Sequence, residues 1–245
     1  MDEISKTLEN AARFAAKTGM SKFTRFLDPA QAVQAQRLAR EQGAAFSAFG
    51  GYERSERVIG CFHARDEVVS PEEYPIVCLH ARYAQRFVTL SHRDLLGAFM
   101  SLGLTRDCIG DMIISDADVY LFATEGTADF IAASMTSAGK ASLRFEILGA
   151  VPPMPEPKGR TFSAIVSSLR LDAVLAAAYQ LSRAEAAEAI RAGLVKLDHV
   201  PCEKVDMPVR EGALLSLRGK GRVSLASLGA TTKKQRLCVT FFKPE

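Results

Sequence analysis

No apolar run in this chain approaches the roughly 18 residues that a bilayer-crossing helix needs. The first residues, Met1-Asp2-Glu3-Ile4-Ser5-Lys6, lack the charged-then-apolar pattern of a secretion signal. A cytoplasmic protein with no membrane partner is expected. The five cysteines (Cys61, Cys78, Cys108, Cys202, Cys238) are an odd number, too scattered for a C-x-x-C clamp, in a chain of 245 residues too long to need covalent stapling. They read as reduced thiols. Two C-x-H pairs, Cys61-Phe62-His63 and Cys78-Leu79-His80, share a spacing that strand alternation alone accounts for. Structural zinc ligands usually sit in tighter pairs, so neither a metal nor a cofactor is expected. Catalytic signatures are missing too: there is no Walker A sequence, H-E-x-x-H pair or G-x-S-x-G elbow, and four scattered histidines make a poor hydrolytic triad. His92-Arg93-Asp94-Leu95 echoes a kinase catalytic loop, but Phe99 stands where the metal-binding asparagine would be. A non-catalytic protein is expected.

Negative charge is missing from one long stretch. Between Gly212 and Pro244 there are seven basic residues (Arg218, Lys220, Arg222, Lys233, Lys234, Arg236, Lys243) and no acidic one. Residues 166–245 hold 13 Lys/Arg against 8 Asp/Glu, a surplus of five, whereas residues 1–165 hold 18 against 20. The net +3 of the chain thus conceals a basic C-terminal part, the electrostatic footprint of a polyanion partner.

What is present divides the chain. Val151 to Arg160 carries four prolines in six positions, an extended spacer, so residues 151–160 are expected to link an N-terminal body to a basic module at 161–245. Within 76–150, Ile76–Tyr83 alternates as a strand, Ser91–Leu102 reads as a helix capped by Ser91 with Asp94, and Ile109–Ser115 and Val119–Thr124 read as strands about Asp116-Ala117-Asp118. A helix over Glu125–Ala138 and a strand over Ser142–Leu148 complete a β-α-β-β-α-β, ferredoxin-like order. RNA-recognition modules share it, but the aromatic RNP1 signature is absent. Residues 1–75 form an N-terminal α/β part, with helices over Asp2–Thr18 and Ala30–Gln42 and strands over Ala44–Phe49 and Val58–Phe62. These strands flank a bend, Gly50 to Arg57, that reads as a solvated connection. The fold class expected is α+β.

In the basic module, Leu171, Val174, Leu175 and Ala178 recur at helical spacing behind Arg170, and Asp172 suits the positive end of that helix. Ser182-Arg183-Ala184-Glu185 is a capping box that opens a second helix, closed by Gly193. Strand character follows at 194–197, 209–217 and 222–225. Arg218-Gly219-Lys220-Gly221-Arg222 sets three cations on a glycine turn that lets backbone approach closely. Such groups position a protein on phosphates and do not read bases.

The Arg170-Leu171-Asp172 opening, the Ser182-Arg183 helix start, Ala192 to Lys196 and the Arg-Gly-Lys-Gly-Arg turn resemble the RNA-binding domain named after ribosomal protein S4. Leu197-Asp198-His199 departs from the Val-Asn-Gly turn frequent in that family. Upstream, Phe26-Leu27-Asp28-Pro29, Gly50-Gly51-Tyr52 with Glu56-Arg57, Leu90 to Gly97 and Gly103 to Asp111 are similar to YlmH-type proteins. The resemblance covers nearly the whole chain. It implies binding to rRNA of the large ribosomal subunit, with tRNA or peptidyl-tRNA as a further partner, in ribosome-associated quality control of stalled nascent chains, by a protein monomeric when free. The RNA contacts expected are Arg170, Arg183, Arg191, Lys196, Arg218, Lys220 and Arg222. Two alternatives are an RNA-modifying enzyme of the pseudouridine synthase type, against which Leu169 replaces the glycine of its Gly-Arg-Leu-Asp context, and a protein-interaction adaptor.

Overall fold

A computed structural model describes residues 3–231 and 236–244; of the seven basic residues singled out above, Lys233 and Lys234 lie outside the described residues. The chain forms two compact units, Met1–Pro155 and Glu156–Glu245. Among the described residues no helix is long and apolar enough to cross a membrane.

The first unit begins with α1 (Glu3–Thr18), β1 (Lys22–Leu27), α2 (Pro29–Gln42), β2 (Ala45–Phe49) and β3 (Val58–His63), whose strands form an antiparallel sheet in the order β1-β3-β2. Asp28 caps α2 with Pro29 at its first position, and Gln31 reaches back to close a capping box. The small residues of α1 (Ala12, Ala15) and α2 (Ala35, Ala39) let both helices close on Leu27 and Phe62. Helix α2 thus buries Ala35, Leu38 and Ala39.

The same unit continues with β4 (Val77–Arg82), α3 (His92–Ser101), β5 (Ile109–Ser115), β6 (Asp118–Ala123), α4 (Glu125–Ser134), β7 (Ser137–Ala138), β8 (Ala141–Ser142) and β9 (Glu146–Leu148). Four of these strands pair antiparallel in the order β5-β6-β4-β9, and β7 pairs only with β8. Ser91 caps α3 and Asp94 completes the box, as the sequence indicated. Helix α4 stops short of Ala138, because Met135 turns extended (φ −90°, ψ 91°) and Gly139 (φ 56°) reverses the chain into the β7-β8 hairpin. That hairpin takes up the start of the segment read as one strand, leaving β9 only three residues.

One apolar cluster joins the two halves of this unit: Phe26, Ile59 and Cys61 pack with Tyr74, Cys78 and Phe122. Gly110 is required there, since a Cβ would lie 2.7 Å from the Phe26 ring. Beside it, the Asp111 carboxylate accepts hydrogen bonds from the Tyr52 hydroxyl (2.8 Å) and the amides of Glu56 (2.7 Å) and Arg57 (3.0 Å). The Arg57 guanidinium donates to the carbonyls of Ile109, Phe26 and Arg106. The Gly50–Arg57 bend is thus a half-buried lock and not the solvated connection its charge suggested. Burial is also why the Arg57 guanidinium has a lowered pKa, opposed by Asp28 and Asp111. The cysteines of both C-x-H pairs pack in this cluster, with the Cys78 thiol pushed up to about 12 by burial. Their histidines are engaged elsewhere, His63 by Ser47 (3.1 Å) and His80 by Asp118 (2.8 Å).

The second unit comprises β10 (Gly159–Val166), α5 (Leu171–Tyr179), α6 (Arg183–Arg191), β11 (Val195–Leu197), β12 (Val200–Pro201), β13 (Leu214–Leu217), β14 (Gly221–Thr231) and β15 (Leu237–Pro244). Its six strands run in the order β10-β15-β14-β13-β11-β12. Strand β10 already begins at Gly159, inside the segment read as a proline-rich linker. Helix α5 is buried nearly all round, not along one stripe, because its Leu, Val and Ala side chains fill the space between sheet and α6. At the Leu197-Asp198-His199 turn, Asp198 (φ 48°) and His199 (φ 67°) adopt the left-handed backbone that an Asn-Gly pair takes more readily. The Asp198 carboxylate accepts the Leu214 amide at 2.8 Å, and the Asp198 amide donates to the Leu214 carbonyl at 2.9 Å, holding the turn in place.

Replacing Asp111 with alanine removes the acceptor for one hydroxyl and two amides. This should lower the unfolding free energy of the first unit by about 2–3 kcal/mol. Urea unfolding followed by circular dichroism checks this, and an unchanged midpoint would refute the lock.

Candidate nucleic-acid interface

Helix α5 starts where the chain crosses back to the loop at 205–209. The Leu171 amide donates to the Met207 carbonyl (2.8 Å), the Asp172 amide to the Val205 carbonyl (3.1 Å) and the Val209 amide to the Leu169 carbonyl (2.8 Å). The first amides of this helix, which could otherwise hold an anion, are therefore already occupied. At α6 the Ser182 hydroxyl accepts the Glu185 amide (3.1 Å), and the Glu185 carboxylate takes the Ser182 amide (2.7 Å). At the start of α5 any grip on phosphate therefore falls mainly to side chains.

Those side chains converge on Asp172. Its carboxylate is buried, with 5% of the residue exposed. Arg170 reaches it through Nε (3.3 Å) and Nη2 (3.4 Å), and Arg183 through Nη2 (2.5 Å), while Arg183 Nη1 also donates to the Ser167 hydroxyl (3.2 Å). Burial works to raise the Asp172 pKa, but the hydrogen bonds and charges of Arg170 and Arg183 outweigh it and hold the carboxyl below its ordinary value. Both arginine side chains remain about half exposed, 48% and 50%. The result is a pair of pre-positioned guanidinium groups with a surplus of one positive charge and donors still turned to solvent. Asp172 also accepts its neighbour Ala173's amide (2.9 Å), so both its oxygens are held by donors.

The basic turn is built by glycine: Gly219 (φ 81°) and Gly221 (φ 82°) take the left-handed conformation, and Lys220 closes the turn by donating its amide to the Leu217 carbonyl (2.9 Å). The Tyr179 hydroxyl, at the end of α5, lies 3.0 Å from the Leu215 carbonyl and 2.9 Å from that of Gly221, tying the helix to both sides of the turn. Burial pushes that phenol up to about 12.

The seven residues predicted from sequence are brought together only in part. Arg170 and Arg183 meet at Asp172. Lys196 and Arg222 both stand opposite Ser216, on β11 and β14 either side of β13, so these exposed cations share one face of the sheet. Arg218 and Lys220 are exposed on the turn itself. Arg191 lies at the far end of α6 from Arg183, about 12 Å along its axis, where it suits the negative end of the helix dipole. Two cations were missed as site residues by sequence reasoning: Arg160 and Lys243 are directly paired across β10 and β15. Lys243 was counted in the basic stretch, but no local signal showed that Arg160, beyond the prolines, belongs beside it.

Two family models match the chain. Residues 70–150 match the one described as "Putative RNA-binding domain in YlmH", and residues 169–215 match the S4 domain. The ribosome-associated protein quality control protein P2 of Bacillus subtilis is 38% identical over 223 residues, spanning 90% of this chain and 86% of that protein. A solved structure, the cell division protein ylmH from Streptococcus pneumoniae, is similar in fold, with a TM-score of 0.51 at 18% identity over 59% of this chain and 88% of that one.

Because the folded Asp172 carboxyl has a depressed pKa, its stabilising effect is complete above its unfolded value near 3.9 and is lost as pH falls through the lower folded value. Asp172→Asn should cost about 1–3 kcal/mol at pH 7, and the difference from wild type should shrink as acid is added toward pH 2. Urea midpoints measured across that range check it; a gap that widens in acid would contradict the pairing.

Proposed function

Since the chain belongs to the YlmH family of S4-domain proteins, we propose that it binds structured rRNA of the large ribosomal subunit, with peptidyl-tRNA as a further contact, in the quality control of stalled nascent chains. It is a homologue of a ribosome-associated quality control protein, and its matched domains are described as RNA-binding and S4 modules. The observation that carries the finer reading is the paired presentation of Arg170 and Arg183 by a buried carboxylate, with Lys196 and Arg222 on the sheet face turned away from α5 and Arg218 and Lys220 on a glycine turn. Fixed guanidinium groups suit phosphate oxygens, and a cluster of them makes binding strongly salt-dependent. Arg191 joins this set as a peripheral phosphate contact.

In this reading residues 1–75 and 76–150 are two domains fastened face to face, 151–158 is a linker, and the S4-type clamp begins with β10 at Gly159. The strand order β5-β6-β4-β9, with a helix after β4 and another after β6, supports a ferredoxin-like middle domain. The protein works as a monomer in the cytoplasm, without a cofactor and without a chemical step. Asp172, the carboxylate that a pseudouridine synthase reading would make the nucleophile, serves instead to hold Arg170 and Arg183 in place.

Arg218→Gln with Arg222→Gln removes two exposed cations without touching the Asp172 cluster. It should weaken binding to purified large subunits about tenfold and flatten the dependence of log K on log salt by roughly 1.5–2. Sedimentation with large subunits over a salt series measures both; unchanged affinity and slope would sink the assignment.

A further inference from the structure

The sheet of the second unit extends past the helix that covers it. On β10, Val166, Ala164 and Phe162 face the core in alternation and Arg160 follows them on the same side, while on β15 Val239 and Phe241 are succeeded by Lys243. Helix α5 ends at Tyr179, and Gln180 (φ 54°) turns the chain away, so the last pair of this face is left uncovered. The space so formed is an open cleft of about 750 Å³, rimmed by Arg160, Lys243 and Lys220 and bounded by Phe162, Tyr179 and Gln180; among the described residues no acidic side chain lines it.

Two features of this cleft do not arise from folding alone. Arg160 and Lys243 are direct cross-strand partners, and like charges in that position destabilise a sheet. Among the described residues neither has a carboxylate within ion-pair distance, although Arg160 lies 6.0 Å over the Phe162 ring. The carbonyl end of α5 offers at most about half a negative charge to three cations.

We propose that this cleft is a second phosphate site, which takes a backbone phosphate of the bound RNA between Arg160, Lys220 and Lys243. It lies at the opposite end of α5 from Arg170, about 13 Å away along the helix axis. An anion there removes the repulsion between the paired cations, and Gln180 adds a neutral donor at the rim. The proposal rests on the RNA-binding reading above, but its residues Arg160 and Lys243 are not among those on which that reading stands.

The test is fluorescence anisotropy of a labelled RNA stem-loop with the full chain, from about 50 to 200 mM KCl. Arg160→Gln with Lys243→Gln should bind about tenfold more weakly and with a slope of log K against log salt flatter by roughly 1.5–2. The charge-preserving exchange Arg160→Lys with Lys243→Arg should bind like wild type, which separates charge from folding. If the glutamine variant melts like wild type yet keeps its affinity and slope, the cleft is not an RNA site. If inorganic phosphate saturably shifts the Gln180 amide resonance while the RNA slope is unaffected by the glutamine variant, the cleft takes a free phosphate compound and the RNA form of the proposal is overturned. Failure of the wild-type chain to bind RNA at all would overturn the parent reading together with this one, a result distinct from either of those.

Discussion

A single buried carboxylate organises the basic unit. Asp172 is held at the start of a helix whose first two amides are used by the loop at 205–209, and its oxygens take, besides the Ala173 amide, the side chains of two arginines that arrive from different elements. A guanidinium on a free surface samples many rotamers and loses roughly 2 kcal/mol of side-chain entropy when it is fixed. Arg170 and Arg183 have already lost most of that freedom in the folded protein. The carboxylate therefore acts twice, stabilising the helix start and reducing the entropic cost of any later contact with a polyanion. It also cancels part of the charge, which keeps two adjacent cations from repelling one another in the absence of a partner.

How far the sequence revealed this depends on the reach of each interaction. Capping is written in residues three apart, so Ser91 with Asp94 and Ser182 with Glu185 were legible without coordinates. The glycine turn at 219–221 was legible for the same reason. The convergence of Arg170 and Arg183 was not, since Arg183 reaches a residue eleven positions away only because α5 and α6 pack together. Strand β10 was hidden behind the prolines because its pairing partner lies at the other end of the unit, and with it went Arg160. The bend at 50–57 was misread because charged residues ordinarily face water, whereas here backbone carbonyls and Asp111 surround Arg57. The early end of α4 turns on Met135, a good helix former whose extended backbone is set by tertiary packing.

The two units handle charge by different means. In the first, the half-buried Arg57 guanidinium donates to three carbonyls and is balanced by Asp28 and Asp111, so that it serves assembly and not recognition. In the second, Arg170 and Arg183 are held by one carboxylate and remain half exposed.

The apolar cluster that joins the halves of the first unit also dictates an order of events during synthesis. Phe26 and Ile59 are buried against Phe122, which is made about 60 residues after Ile59. At roughly 5–20 residues per second, the N-terminal helices and sheet wait about 3–12 s with that face open to water. A protein of this family thus spends its own first seconds as the kind of incomplete chain, with exposed aromatic surface, that a stalled ribosome also presents.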